Sequence, residues 1–159
     1  MAVSDLLSKH PEREITITRV FDAPRSLVFK MWTDPKYLAE WWGPGVFTNP
    51  VCEVDARVGG KWRIVMRAPD GTEYPGGGVY REVVPPERLV FTNIATDREG
   101  HPVLDGLTTV TFDDYQGRTK LTLHTRAVAL VDYAAAYLGG MQEGWSQSLD
   151  SLAATLAKS

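Results

Sequence analysis

From Met141 onward, apolar side chains recur at Met141, Trp145, Leu149, Leu152 and Leu156, at offsets of four, four, three and four. That spacing places all five on one stripe of an α-helix. Gln142, Glu143, Gln147, Asp150 and Lys158 fall off the stripe, so the helix is amphipathic rather than apolar all round. Gly139-Gly140 reads as a break before it. Each stripe side chain contributes on the order of 1.5–3 kcal/mol when fully buried, so a large apolar surface has to lie opposite. What precedes the helix is mostly strand. The expected architecture is therefore a curved sheet wrapped around a C-terminal helix.

The rest of the chain supplies that sheet. Residues 1–12 read as a loose leader, and residues 13–158 as a single domain. Arg13 to Phe21 alternates Ile15 and Ile17 with Thr16 and Thr18, a first strand. The period then changes. Pro24 suits a first helical turn, and Leu27, Val28, Met31 and Trp32 share a face. Asp34 can cap and Pro35 can start a second short helix, in which Leu38, Trp41 and Trp42 share a face before Gly43-Pro44-Gly45 stops it. From Phe47 the pattern is strand and turn: Phe47 to Asp55, Lys61 to Arg67, Tyr74 to Val84 and Leu89 to Thr96. A polar loop is expected from Asp97 to Gly106, then a hairpin of Leu107–Phe112 and Lys120–Ala127 joined across Asp113 to Gly117. Gly76-Gly77-Gly78 suggests a bulge or a close backbone approach. Short turns at this spacing imply an antiparallel meander.

Composition excludes several functions. The chain carries 17 Lys+Arg against 20 Asp+Glu, interspersed along its length. There is no basic patch, so nucleic-acid binding is not indicated. Met1 to Pro11 has only Leu6-Leu7 as an apolar pair and does not resemble a signal peptide. No apolar run reaches membrane-spanning length. A single cysteine rules out an internal disulfide and fits a reducing compartment. The expectation is a soluble cytoplasmic protein.

No coherent catalytic set emerges. Cys52 and His124 suggest a nucleophile and base, but neither has a flanking motif or a third partner. A semi-buried thiol and a solvent-facing histidine is the favoured reading. His10, His101 and His124 lack metal-ligand spacing, so no metal is expected. Asp113-Asp114 falls where aspartate commonly forms turns. Gly59-Gly60-Lys61 lacks the spacing of a phosphate loop. Glu53, Glu82 and Asn93 are the polar residues that strand parity leaves free to face inward, without deciding which does. A buried carboxylate there would be a candidate acid, base or ligand anchor.

Four segments, FDAPRSLVFKMWTDPKYLAEWWGP, EVDARVGGKWRIVMRAPDG, GVYREVVPPERLVFT and EGWSQSLDSLAATLA, occur in this order. Together they resemble the bacterial AHSA-type branch of the SRPBCC superfamily, relatives of the C-terminal domain of the activator of the 90-kDa heat-shock protein ATPase. The resemblance implies an α+β helix-grip fold, shared with START domains and the birch-pollen allergen. In that fold a seven-stranded antiparallel sheet grips a long C-terminal helix, with two short helices after strand one. It also implies a cavity between sheet and helix that takes apolar or amphipathic ligands. A chaperone partner and a stress-related role belong to the same family. Eukaryotic activators carry a separate N-terminal domain that engages the chaperone. With its first strand near residue 13 this chain is expected to lack one, which ranks chaperone activation below ligand binding.

The aromatic set Trp32, Trp41, Trp42, Trp62, Tyr80, Phe91 and Trp145 either fills a core or walls a cavity. The expected cavity residues are Trp41, Trp42, Phe47, Trp62, Ile64, Met66, Tyr80, Phe91, Met141, Trp145 and Leu149, with Trp41, Trp42 and Phe47 near the mouth. The leading expectation is a binding protein for an apolar or aromatic small molecule, without cofactor or metal and without assigned catalytic residues. The alternatives are a cofactor-free enzyme on a hydrophobic, polyketide-like substrate, using Glu82 or Tyr80, and a co-chaperone-like interaction module. A homodimer is compatible with the free sheet edges, although no motif requires it.

Overall fold

A computed structural model describes residues 10–43 and 45–158. Residues 1–9 of the expected leader, and Pro44 of the expected helix stop, lie outside the described residues. The elements in order are β1 (Glu12–Phe21), α1 (Arg25–Thr33), α2 (Pro35–Trp41), β2 (Thr48–Val54), β3 (Lys61–Arg67), β4 (Glu73–Val84), β5 (Arg88–Thr96), β6 (Pro102–Tyr115), β7 (Arg118–Ala129), a 3-10 turn (Asp132–Ala134) and α3 (Ala135–Ala157). The strands form one seven-stranded antiparallel sheet in the order β1-β7-β6-β5-β4-β3-β2. Among the described residues no helix is long and apolar enough to cross a membrane.

Local chemistry sets the boundaries. Asp34 caps α2 by accepting the Lys36 backbone N–H at 3.0 Å, with Pro35 at the first helical position. Pro24 is the residue before α1, in extended conformation, and Arg25 begins the helix. Pro50 interrupts the β2–β3 register between Thr48 and Val51. β1 starts at Glu12 rather than Arg13, and the Pro11 carbonyl accepts the Ala129 N–H at 2.8 Å.

Three expectations are corrected. Gly139 and Gly140 do not break the chain before the last helix; they lie inside α3. Glycine costs a helix about 1 kcal/mol relative to alanine, and packing offsets it: Ala134 and Leu138 bury against Val103, Ala127 and Ala129. The segment 102–106 belongs to β6 and is not loop. Val103 turns into the core while Asp105 faces solvent. Finally, Asp113 and Asp114 are the end of β6, and the hairpin turn is Gln116-Gly117, both at positive φ.

One face of the sheet packs on the helices. Ile15 and Ile17 of β1, Trp62 and Ile64 of β3, Tyr80 of β4, Leu89 and Phe91 of β5, Val110 and Phe112 of β6, and Leu121 and Leu123 of β7 form one cluster with Val28, Met31 and Trp32 of α1, Leu38 and Trp41 of α2, and Leu149 and Leu152 of α3. The edge strand β1 straps α3 down with two arginines. Arg13 donates to the carbonyls of Leu138 and Gly139 at 2.8 and 3.0 Å, and Arg19 pairs with Asp150 at 2.7 Å.

Candidate functional site

The site is built where the first half of α3 crosses the short helices and the β2–β3 edge. Strand alternation turns Trp62, Ile64 and Met66 of β3 inward, and register carries the same face into β4 and β5 at Tyr80 and Phe91. Met141, Trp145 and Leu149 descend from α3 at helical spacing. Between them the rings interlock. Trp42 meets Trp62 at a 5.4 Å centroid distance and Trp145 at 5.3 Å, both edge-on. Trp62 meets Phe91 edge-on at 5.7 Å, and Phe91 meets Tyr80 at 6.1 Å. Trp145 stacks on Trp32 at 6.2 Å with an interplanar angle of 19°.

This array leaves two spaces. A groove of about 210 Å³ opens at the surface between Trp42, Gly43, Met66, Met141, Gly144, Trp145 and Ser148. Beneath it a void of only about 10 Å³ is bounded by Trp32, Leu38, Trp42, Trp62, Tyr80, Leu89 and Phe91. Trp42 belongs to both. Among the described residues no charged side chain lines the groove, and its two methionines are adaptable apolar walls. The Ser148 hydroxyl donates to the Gly144 carbonyl at 3.1 Å. Larger hollows, of about 480 and 260 Å³, lie across the opposite face of the sheet. They are rimmed by Glu53, Lys61, Arg63, Arg81, Asp105, His124 and Arg126, and among the described residues only Trp62 brings an aromatic carbon ring to either.

Of the expected cavity residues, Trp42, Met66, Met141 and Trp145 line the groove, and Trp62, Tyr80 and Phe91 bound the void. Ile64 and Leu149 are fully buried in the surrounding core. Trp41 lies deeper than a mouth position: it is 1% exposed and its indole N–H donates to the Met31 carbonyl at 2.9 Å. The chain turns extended at Trp42, which sends the next indole to the groove instead. Phe47 is half-buried against Tyr74 at 5.7 Å, outside the groove lining. Gly43, Gly144 and Ser148 of the groove, and Trp32, Leu38 and Leu89 of the void, are not among the cavity residues expected from sequence. Gly144 and Ser148 carry a legible signal, since they stand one turn apart on the face between Met141 and Trp145.

The polar candidates separate cleanly. Glu53 pairs with Arg63 and Glu82 with Arg88, both exposed. Asn93 is the one that turns inward: its carbonyl accepts the Thr108 hydroxyl at 2.8 Å, and Thr108 contacts Thr125 at 2.8 Å. Cys52 shares the inner face with Ile64, whereas His124 stands on the outer face against Glu14. The sheet itself separates thiol from imidazole. Burial, with the Glu53 carboxylate adding to it, pushes the Cys52 thiol up to about 11. Burial chiefly, then Cys52 and Asp55, pushes the Tyr80 phenol above its ordinary range. Near neutral pH both keep their protons. Among the described residues no three His, Cys, Asp or Glu side chains gather as a metal site.

The model of one protein family, described as "Activator of Hsp90 ATPase homolog 1-like protein", matches residues 22–157. The chain belongs to the AHSA1-like family. The solved structures agree. A putative uncharacterized protein from Rhizobium leguminosarum superposes with a TM-score of 0.84 at 26% identity, over 94% of this chain and 97% of that one. The AHSA1 protein from Silicibacter pomeroyi gives 0.79 at 28% identity, over 91% and 98%. A protein from Chromobacterium violaceum gives 0.74 at 34% identity, over 89% and 94%. Comparison with curated proteins finds no match. The match to the AHSA1-like model spans every aromatic residue of the groove and the void. This member therefore carries its tryptophan array within the family domain.

Proposed function

We propose that this AHSA1-like domain binds a neutral apolar or aromatic small molecule between α3 and the sheet, through the groove at Trp42 and Trp145. The observation that carries the reading is the convergence of Trp42, Trp145, Met66 and Met141 on one groove with no charged side chain among its described lining residues, walled off by Trp42 from an aromatic interior. Aromatic and thioether walls with few polar groups suit such a ligand. At about 210 Å³ the groove is smaller than the roughly 300–1,000 Å³ of a typical ligand pocket. Binding therefore involves movement of at least one wall residue.

Native mass spectrometry of freshly purified protein, set against its denatured mass, is the direct test. The expected result is a discrete excess mass lost on unfolding, or uptake of added neutral aromatics that quenches tryptophan emission. A bare-chain mass, with no emission change for any such compound and no effect of replacing Trp62 or Trp145, overturns the reading.

A further inference from the structure

The outer face of the sheet carries a hollow of about 480 Å³, within the roughly 300–1,000 Å³ of typical ligand pockets. Strand register accounts for it. The alternation that turns Trp62 inward turns Lys61 and Arg63 of β3 outward, and the Arg63 row runs through Gly77 of β4 to Ile94 of β5. Gly77 brings no side chain to that row. A gap one side chain wide therefore opens between Arg63 and Ile94, floored by bare peptide and bounded by Pro75 and Thr96. A larger residue cannot fill it on this backbone, because a Cβ at Gly77 would come within 2.5 Å of the Trp62 carbonyl oxygen.

The two sides of the gap differ in chemistry. On the β3 side stand Lys61 and Arg63, both exposed and roughly 7 Å apart along the strand. Arg67, Arg88 and Arg126 of the same sheet each hold a carboxylate within 3.2 Å. Lys61 pairs with no carboxylate among the described residues. Arg63 has only Glu53, at 3.5 Å, in a pair exposed at both ends. Such a pair contributes little in water, so Arg63 is free to turn to another anion at small cost. Glu53 is the one acid among the described lining residues. The β5 side is apolar where the half-buried Ile94 faces Arg63 across Gly77, and Pro75 adds a second apolar surface at the end.

We propose that this outer hollow is a second binding site, which takes a flat aromatic carboxylate. Its carboxylate accepts from the Lys61 ammonium and the Arg63 guanidinium, bonds that are strong because both partners are charged. Its ring lies along the bare peptide of β4 against Ile94 and Pro75. The molecule is flat because the gap is one side chain wide, and anionic because the basic side is only loosely paired. The site is separated by the sheet from the groove at Trp145 and stands whether or not that groove takes a ligand.

Naphthoate and naphthamide share a bicyclic outline and differ in charge. In titrations followed by the proton–nitrogen spectrum, naphthoate is expected to shift the backbone amides of Gly76, Gly77, Gly78 and Ile94, and naphthamide to do so about tenfold more weakly. The double variant Lys61→Gln/Arg63→Gln, at two exposed positions that leave the core untouched, should lose about tenfold in naphthoate affinity. Lys120→Gln/Lys158→Gln removes the same charge from other exposed positions and should bind as the wild type does. Naphthoate shifts confined to the groove at Trp42, Met141 and Trp145, or no shifts at all, overturn the proposal. Equal response to both compounds overturns it as well, as does an equal loss in the two double variants, which would mark attraction by overall charge. None of these results bears on whether the groove at Trp145 binds a neutral molecule.

Discussion

Cys52 illustrates how one side chain's surroundings fix its chemistry. It lies on the inner face of β2 opposite Ile64, and burial beside Glu53 raises its thiol to about 11. The thiolate is the reactive form, so alkylation of the native protein near pH 8 should be much slower than after unfolding in urea. Equal rates would contradict the burial. The same shift has a stability consequence. Above about pH 9, the ordinary thiol value, the unfolded chain releases a proton that the folded chain holds until about 11. Unfolding is thus progressively favoured across that interval. Tyr80, raised in the same direction, adds to the loss at higher pH. Urea midpoints should fall over this range, and less steeply in Cys52→Ala. Gly78 makes a second residue-scale case. A Cβ there would come within 1.8 Å of the Thr92 carbonyl oxygen, against 3.4 Å from the nearest atom at Gly76. Gly78→Ala should cost about 3 kcal/mol by overpacking, and Gly76→Ala well under 1 kcal/mol, by urea denaturation.

At the scale of elements, α3 is where sequence and structure agree most and also where they part. The stripe Met141, Trp145, Leu149, Leu152, Leu156 faces the core as its spacing required. The helix nevertheless begins at Ala135, because tertiary contacts at Ala134 and Leu138 and the Arg13 bonds hold two glycines in helical geometry. The Arg13 bonds span over a hundred residues and leave no local trace. β6 shows the same limit. Asp105 and Gly106 look like loop, yet a Cβ at Gly106 would sit 3.0 Å from both the Arg126 carbonyl oxygen and the Asn93 side chain, so the strand is crowded there by residues distant in sequence. Parity brought Trp62, Tyr80 and Phe91 together on paper. It could not foresee that their rings would interlock until about 10 Å³ remained. The exposed glycines give the element-scale prediction. Gly140→Ala, with nothing to clash against, should stabilise the protein by about 0.5–1 kcal/mol. It should also slow amide exchange across the first half of α3 relative to its second half. No change in either would mean that the glycines do not govern local opening.

For the whole molecule, the question is whether the fold can give up its central plug. Trp145 is only partly buried, and it is framed by elements that hold each other without it. Arg13 bonds α3 near one end and Arg19 nearer the other, and Leu149 and Leu152 anchor it to the sheet. Trp145→Ala should therefore leave a folded protein, weakened by no more than about 3–5 kcal/mol. The space released deepens the groove of about 210 Å³ toward Trp32, on which the Trp145 ring stacks. An apolar cavity of this kind stays dry and accepts small aromatics. Naphthalene should then raise the melting temperature of Trp145→Ala more than that of the wild type, because a ligand bound only to the folded state stabilises it by mass action. A folded variant whose melting temperature ignores naphthalene would mean that the neighbouring tryptophans collapse into the gap. The interior would then be a packed aromatic core with no latent site behind Trp145.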